Sequence, residues 1–116
     1  MIKYLVVAGT TFAVLVFSNC NPGKHLAKVP PKLTYATDLS VVIMQNCTPC
    51  HIPAKGGRKK PYDNYANVKT DIDQMIRRIE LNPGEKDFMP FKKTARLSDS
   101  VITVFKQWRT DGLLEK

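Results

Sequence analysis

The pentapeptide CTPCH, residues 47–51, sets two thiols and an imidazole within five consecutive positions, and it constrains the chain more than any other stretch. At 116 residues there is room for one small domain, and 43% apolar residues with 24% charged is an ordinary globular mixture that argues against a wholly disordered chain. Part of that length reads as lying outside the fold. A domain of about 80 residues buries a modest apolar surface, and a cofactor, a metal or a cross-link would add to its stability. The pentapeptide is where that help is expected.

The N-terminus reads as an export signal. Met1, Ile2 and Lys3 give a short positive start, residues 4–17 form an almost unbroken apolar run, and Ser18 and Asn19 lead into Cys20. That run is short of the roughly 20 apolar residues a membrane-crossing helix needs. The stretch VFSNC resembles a bacterial lipobox, which implies cleavage after residue 19 and lipid attachment to Cys20 as the first mature residue. Export places all three cysteines, Cys20, Cys47 and Cys50, in an envelope compartment where a lone thiol is a liability. If Cys20 carries lipid and the other two hold a cofactor, none is left over. Residues 20–36, rich in Pro and Lys, read as a tether from that anchor, with His25 as a solvated linker side chain.

From Thr37 onward the pattern is helical, which predicts an all-α domain over 37–116. Thr37 or Asp38 can cap a first helix that carries Leu39, Val42 and Ile43 on one face and runs into Cys47. A basic loop with two glycines and two prolines follows. A second helix is expected from the helical spacing of Val68, Ile72, Met75, Ile76 and Ile79, ended by Asn82, Pro83 and Gly84. After another loop, Ser98 caps a last helix with Asp99 at the positive end of its dipole. Val101, Val104 or Phe105, and Trp108 form its apolar stripe, and Gly112 marks its end. Met44 and Met75 read as core residues of the first two helices.

Four occupants compete for the pentapeptide: a structural zinc, a redox-active dithiol, a covalently attached haem, or nothing. Zinc normally takes four Cys or His ligands, and beyond the pentapeptide the chain offers only Cys20 and His25, both in the tether region. A thiol-disulfide oxidoreductase places Cys-x-x-Cys at the start of a helix, where the dipole lowers the thiol pKa; here a helix precedes the motif and a loop follows it. Nothing at all is a weak reading too, since this composition gives Cys-x-x-Cys-His by chance on the order of one time in a thousand; haem attachment remains. Two cysteines three positions apart can form thioethers with the two vinyl groups of one haem c, and His51 can supply the first axial bond to its iron. The other ring nitrogen of His51 then needs an acceptor, for which Pro61 in the following loop is a candidate.

Met89 is the candidate sixth ligand. It lies in a loop between Phe88 and Pro90, where no helical stripe asks for a large apolar side chain. Plain packing, or an iron left open on that side, is the alternative. With CTPCH, FMPF and LSDSVITVFKQW in hand, residues 37–116 resemble a small class I c-type cytochrome. The tethered layout is similar to membrane-attached bacterial electron carriers. The resemblance implies a helical fold whose first and last helices cross, wrapped around one haem with His51 and Met89 on opposite faces. It also implies a one-electron carrier with no catalytic residue, rather than an enzyme. An open sixth position would instead suit a haem peroxidase or a small-ligand-binding cytochrome.

Charge points to the partner. The formal net charge is +8, with Lys55, Arg58, Lys59 and Lys60 after the attachment motif and Lys86, Lys92, Lys93 and Arg96 around Met89. Both clusters belong to segments expected at the haem rim, where they would steer the domain toward redox proteins with acidic docking surfaces, such as a respiratory oxidase, reductase or dehydrogenase. No nucleic-acid recognition motif is present, and export argues against such a partner. The expected place is the bacterial cell envelope, with the domain facing the periplasm or the outer surface and held to the membrane through lipid on Cys20.

Overall fold

The structure is a computed structural model and describes residues 29–116. The export signal, Cys20, His25 and most of the tether lie outside the described residues. Among those described, the chain is helical without strands: a π-helical turn (Tyr35–Leu39) runs into α1 (Ser40–Asn46), and α2 (Tyr65–Glu80) and α3 (Asp99–Thr110) follow. A short 3-10 turn covers Pro53–Lys55. None of these helices is long and apolar enough to cross a membrane.

The first helical segment starts earlier than Thr37 or Asp38. Thr34 is its cap: the Thr34 hydroxyl accepts from the Thr37 amide at 3.3 Å, and the Asp38 carboxylate accepts from the Thr34 amide at 2.9 Å. These reciprocal bonds satisfy donors that the first helical turn leaves without partners. The Thr34 carbonyl accepts from both the Asp38 and the Leu39 amides, which widens the first turn. Leu39 and Ile43 are fully buried, and Val42 is half-buried against them. Met44 is not a core residue; 41% of it is exposed. It follows Ile43 by one position and so stands about 100° around the helix from the buried stripe.

Helix α2 begins after Asn64, whose side chain accepts from the Asn67 amide, and it buries all five of the apolar residues expected on one face, Met75 among them. Ser98 caps α3 by accepting from the Val101 amide, and Gly112, at φ +103°, lets the chain turn away after it. The buried stripe of α3 is Ile102, Phe105 and Trp108, with Val101 and Val104 half-buried at its edges. Helix α2 packs on α3, and α3 meets the N-terminal segment at the π-helical turn.

That N-terminal contact is tied by backbone and aromatic groups together. The Tyr35 and Ala36 amides donate to the Leu114 and Glu115 carbonyls at 2.8 and 3.0 Å, and the Trp108 indole also donates to Leu114 at 2.8 Å. Tyr35, Tyr65 and Trp108 meet edge-on or tilted, with ring centres 5.9 to 6.4 Å apart, the spacing at which aromatic pairs attract beyond simple area burial. The chain ends of the domain are thereby closed over one core. The segments between α1 and α2 and between α2 and α3 remain free to form a cleft.

Candidate functional site

Helix α1 delivers the pentapeptide to the cleft. Cys47 caps the helix, its amide donating to the Ile43 carbonyl at 2.8 Å, and the His51 amide reaches back to the Cys47 carbonyl at 3.0 Å. Residues 47–51 therefore form a single tight turn at the helix end. The following loop folds back under it: the Lys59 amide donates to the Cys50 carbonyl at 3.0 Å and the Tyr62 amide to the His51 carbonyl at 2.9 Å.

The two thiols sit differently. Cys47 is half-buried against the core, and that burial pushes its thiol up to about 11. Cys50 is exposed at the mouth of the same cleft. His51 Nδ1 donates to the Lys60 carbonyl at 2.8 Å, which leaves Nε2 as the nitrogen with a free lone pair. The acceptor is Lys60 and not Pro61, whose own carbonyl takes the Asn67 side-chain amide at 2.9 Å. Tyr62 stacks on the His51 ring with centres 4.4 Å apart and planes 9° from parallel. Its phenol donates to Asp71 at 3.1 Å and is pushed up to about 12, by burial first and the Asp71 carboxylate next.

The opposite wall comes from the loop after α2. Met89 is half-buried, packs against the core, and its amide donates to the Arg78 carbonyl at 3.1 Å, so this loop is fastened to α2. Phe88 is buried beside it, whereas Phe91 is 67% exposed at the rim. Between the walls lies a cleft of about 1110 Å³, with Met75, Ile79, Leu97 and Phe105 among its lining. That is slightly above the roughly 300–1,000 Å³ usual for cofactor sites. Cys47, Cys50, His51 and Met89 all line this one cleft.

The donor set fits a haem better than a bare metal ion. Among the described residues no group of three or more His, Cys, Asp or Glu side chains is gathered as a metal site. The walls instead offer two thiols, an imidazole with its outer nitrogen already engaged, a thioether and an apolar lining. In the cleft wall, Arg78 Nε is buried without a hydrogen-bond partner, and its guanidinium lies 3.9 Å from Asp87.

The basic clusters divide. Lys60 pairs with Asp71 at 2.8 Å and Arg96 with Asp99 at 2.8 Å. Lys59, Lys86, Lys92 and Lys93 line the cleft and form no ion pair among the described residues. Lys55 and Arg58 are exposed on the returning loop and do not line the cleft. Tyr62, Asp71 and Arg78 take part in the site without having been singled out from sequence. An aromatic residue following Pro61 in an otherwise polar loop was the one available signal for Tyr62. No family model, curated protein or solved structure matches the chain.

Proposed function

We propose that this chain is a one-electron carrier holding one covalently attached haem c, and that it has no catalytic residue and no substrate of its own. Cys47 and Cys50 would hold the haem through two thioethers, each formed by adding one S–H across one vinyl group, and His51 Nε2 and the Met89 sulfur would ligate its iron. The haem supplies the ferric/ferrous couple. His51 is oriented by the Lys60 carbonyl, which also raises the basicity of its free nitrogen. Met89, softer than a second imidazole, favours the ferrous form and so raises the potential. Met75, Ile79 and Phe105 keep the floor of the cleft apolar. Arg78, in the same wall, pairs with Asp87.

The observation that carries this reading is the convergence of Cys47, Cys50, His51 and Met89 on one cleft, with the His51 ring already pinned through its outer nitrogen. The partners are redox proteins with acidic docking surfaces, of which a respiratory oxidase, reductase or dehydrogenase are examples, met by Lys59, Lys86, Lys92 and Lys93 around the cleft mouth. The place is the bacterial cell envelope, with the export signal removed and lipid on Cys20 as the membrane anchor.

Optical spectra in both oxidation states test the ligation. Protein matured in a host with working cytochrome assembly machinery is expected to show a sulfur-to-iron absorption band when oxidised, and Met89→Ala is expected to abolish it. A band unchanged in Met89→Ala would remove Met89 from the site. A wild-type protein that lacks the band, and whose oxidised form binds peroxide, would favour the open-site enzyme.

A further inference from the structure

We propose that Tyr62, through the face it stacks on the ring, is a positioning residue that fixes the plane of the His51 imidazole; this rests on reading His51 as an iron ligand. An imidazole bound through Nε2 keeps one soft freedom, rotation about the metal–nitrogen axis. A single hydrogen bond from Nδ1, which lies close to that axis, restrains it weakly. A parallel aromatic ring restrains it strongly, because rotation drives the imidazole edge into the neighbouring face or breaks the contact altogether. Tyr62 supplies such a face at 4.4 Å and 9°.

Tyr62 is itself held at both ends. Its amide donates to the His51 carbonyl at 2.9 Å, and its phenol donates to Asp71 Oδ2 at 3.1 Å. The other oxygen of Asp71 pairs with Lys60 Nζ at 2.8 Å, and the carbonyl of that same Lys60 accepts from His51 Nδ1 at 2.8 Å. The four residues thus close a ring in which every member touches two others. Asp71 belongs to α2, the helix whose Arg78 carbonyl holds the Met89 amide. Both proposed axial ligands therefore take their orientation from one rigid element, the arrangement that outer groups around a metal ligand typically provide.

The imidazole plane decides which iron orbital it overlaps, and so how unpaired spin spreads over the haem in the ferric state. The four haem methyl proton shifts report that spread, and electron-transfer competence does not enter the readout. In full-length protein matured with haem, the ferrous form is expected to show nuclear Overhauser contacts between the Tyr62 and His51 ring protons. In the ferric form, Tyr62→Leu is expected to reorder the methyl shifts, while Tyr62→Phe, which keeps the face and loses only the bond to Asp71, returns the wild-type order. Absence of the Overhauser contacts in coloured wild-type protein would overturn the proposal, and that measurement does not depend on either variant folding. So would a wild-type methyl order in Tyr62→Leu. Colourless protein overturns both this proposal and the haem reading, whereas coloured protein with either negative result overturns this one alone.

Discussion

A methyl group on Gly57 would stand 2.6 Å from the Cys50 carbonyl oxygen and 2.8 Å from the Ile52 amide nitrogen, closer than a real Cβ approaches backbone. The returning loop can lie under the CTPCH turn only because residue 57 has no side chain. Gly57→Ala is therefore expected to cut the yield of haem-loaded protein and lower its unfolding midpoint. Gly56→Ala meets no neighbour and suffers only from its φ of +82°, a cost of about 1 kcal/mol, and is expected to do less; holoprotein yield and thermal unfolding of the two compare them. The cysteines make a second residue-scale contrast. Burial raises the Cys47 thiol to about 11 while Cys50 is exposed, so before attachment an alkylating reagent at pH 8 is expected to label Cys50 first. Cys47 should catch up as the pH approaches 11, a course that peptide mass mapping follows. That Cys47, Cys50, His51 and Met89 share one cleft was legible in sequence, because haem attachment would demand the Cys-x-x-Cys-His spacing and Met89 stood in a loop outside any helical stripe. Tyr62 and Arg78 were not, because their place depends on how two loops fold back onto α2.

At the scale of elements, legibility tracked how much of a helix is specified by its own residues. Helix α3 begins with Ser98 and ends before Gly112 as its sequence suggests, and α2 buries the stripe its spacing marks. The first segment began earlier than expected because Thr34 and Asp38 cap each other across a widened turn, a device with no fixed apolar spacing to announce it. Thr34→Ala is expected to cost about 1 kcal/mol in denaturant unfolding. The Thr34 amide and Thr37 hydroxyl hold the Asp38 carboxyl below its usual range, so the folded state releases that proton more readily than the unfolded chain. Its stabilisation is present above the ordinary carboxylate range and is lost as pH falls through the lowered value. Asp38→Asn should therefore flatten the acid limb of a stability-against-pH curve, and an unchanged limb would show that the carboxylate contributes nothing there.

For the whole molecule, what matters is that one cleft gathers every proposed ligand and that its mouth is ringed by lysines. Lys59, Lys86, Lys92 and Lys93, with exposed Phe91 among them, present positive charge where an electron would leave. Rates of electron transfer to an acidic redox protein should fall with added salt, and a Lys92→Glu, Lys93→Glu double variant should start slower and respond less to salt, as stopped-flow mixing would show. Electron transfer from this cleft needs the pigment bonded to the chain. The most direct measurement is whether haem stays with the polypeptide through unfolding and acid-acetone extraction, with mass mapping of the 47–51 peptide. Haem retained on a peptide containing both Cys47 and Cys50 is the predicted result. Extraction of all the haem, or a colourless protein from a host competent in cytochrome assembly, would contradict it.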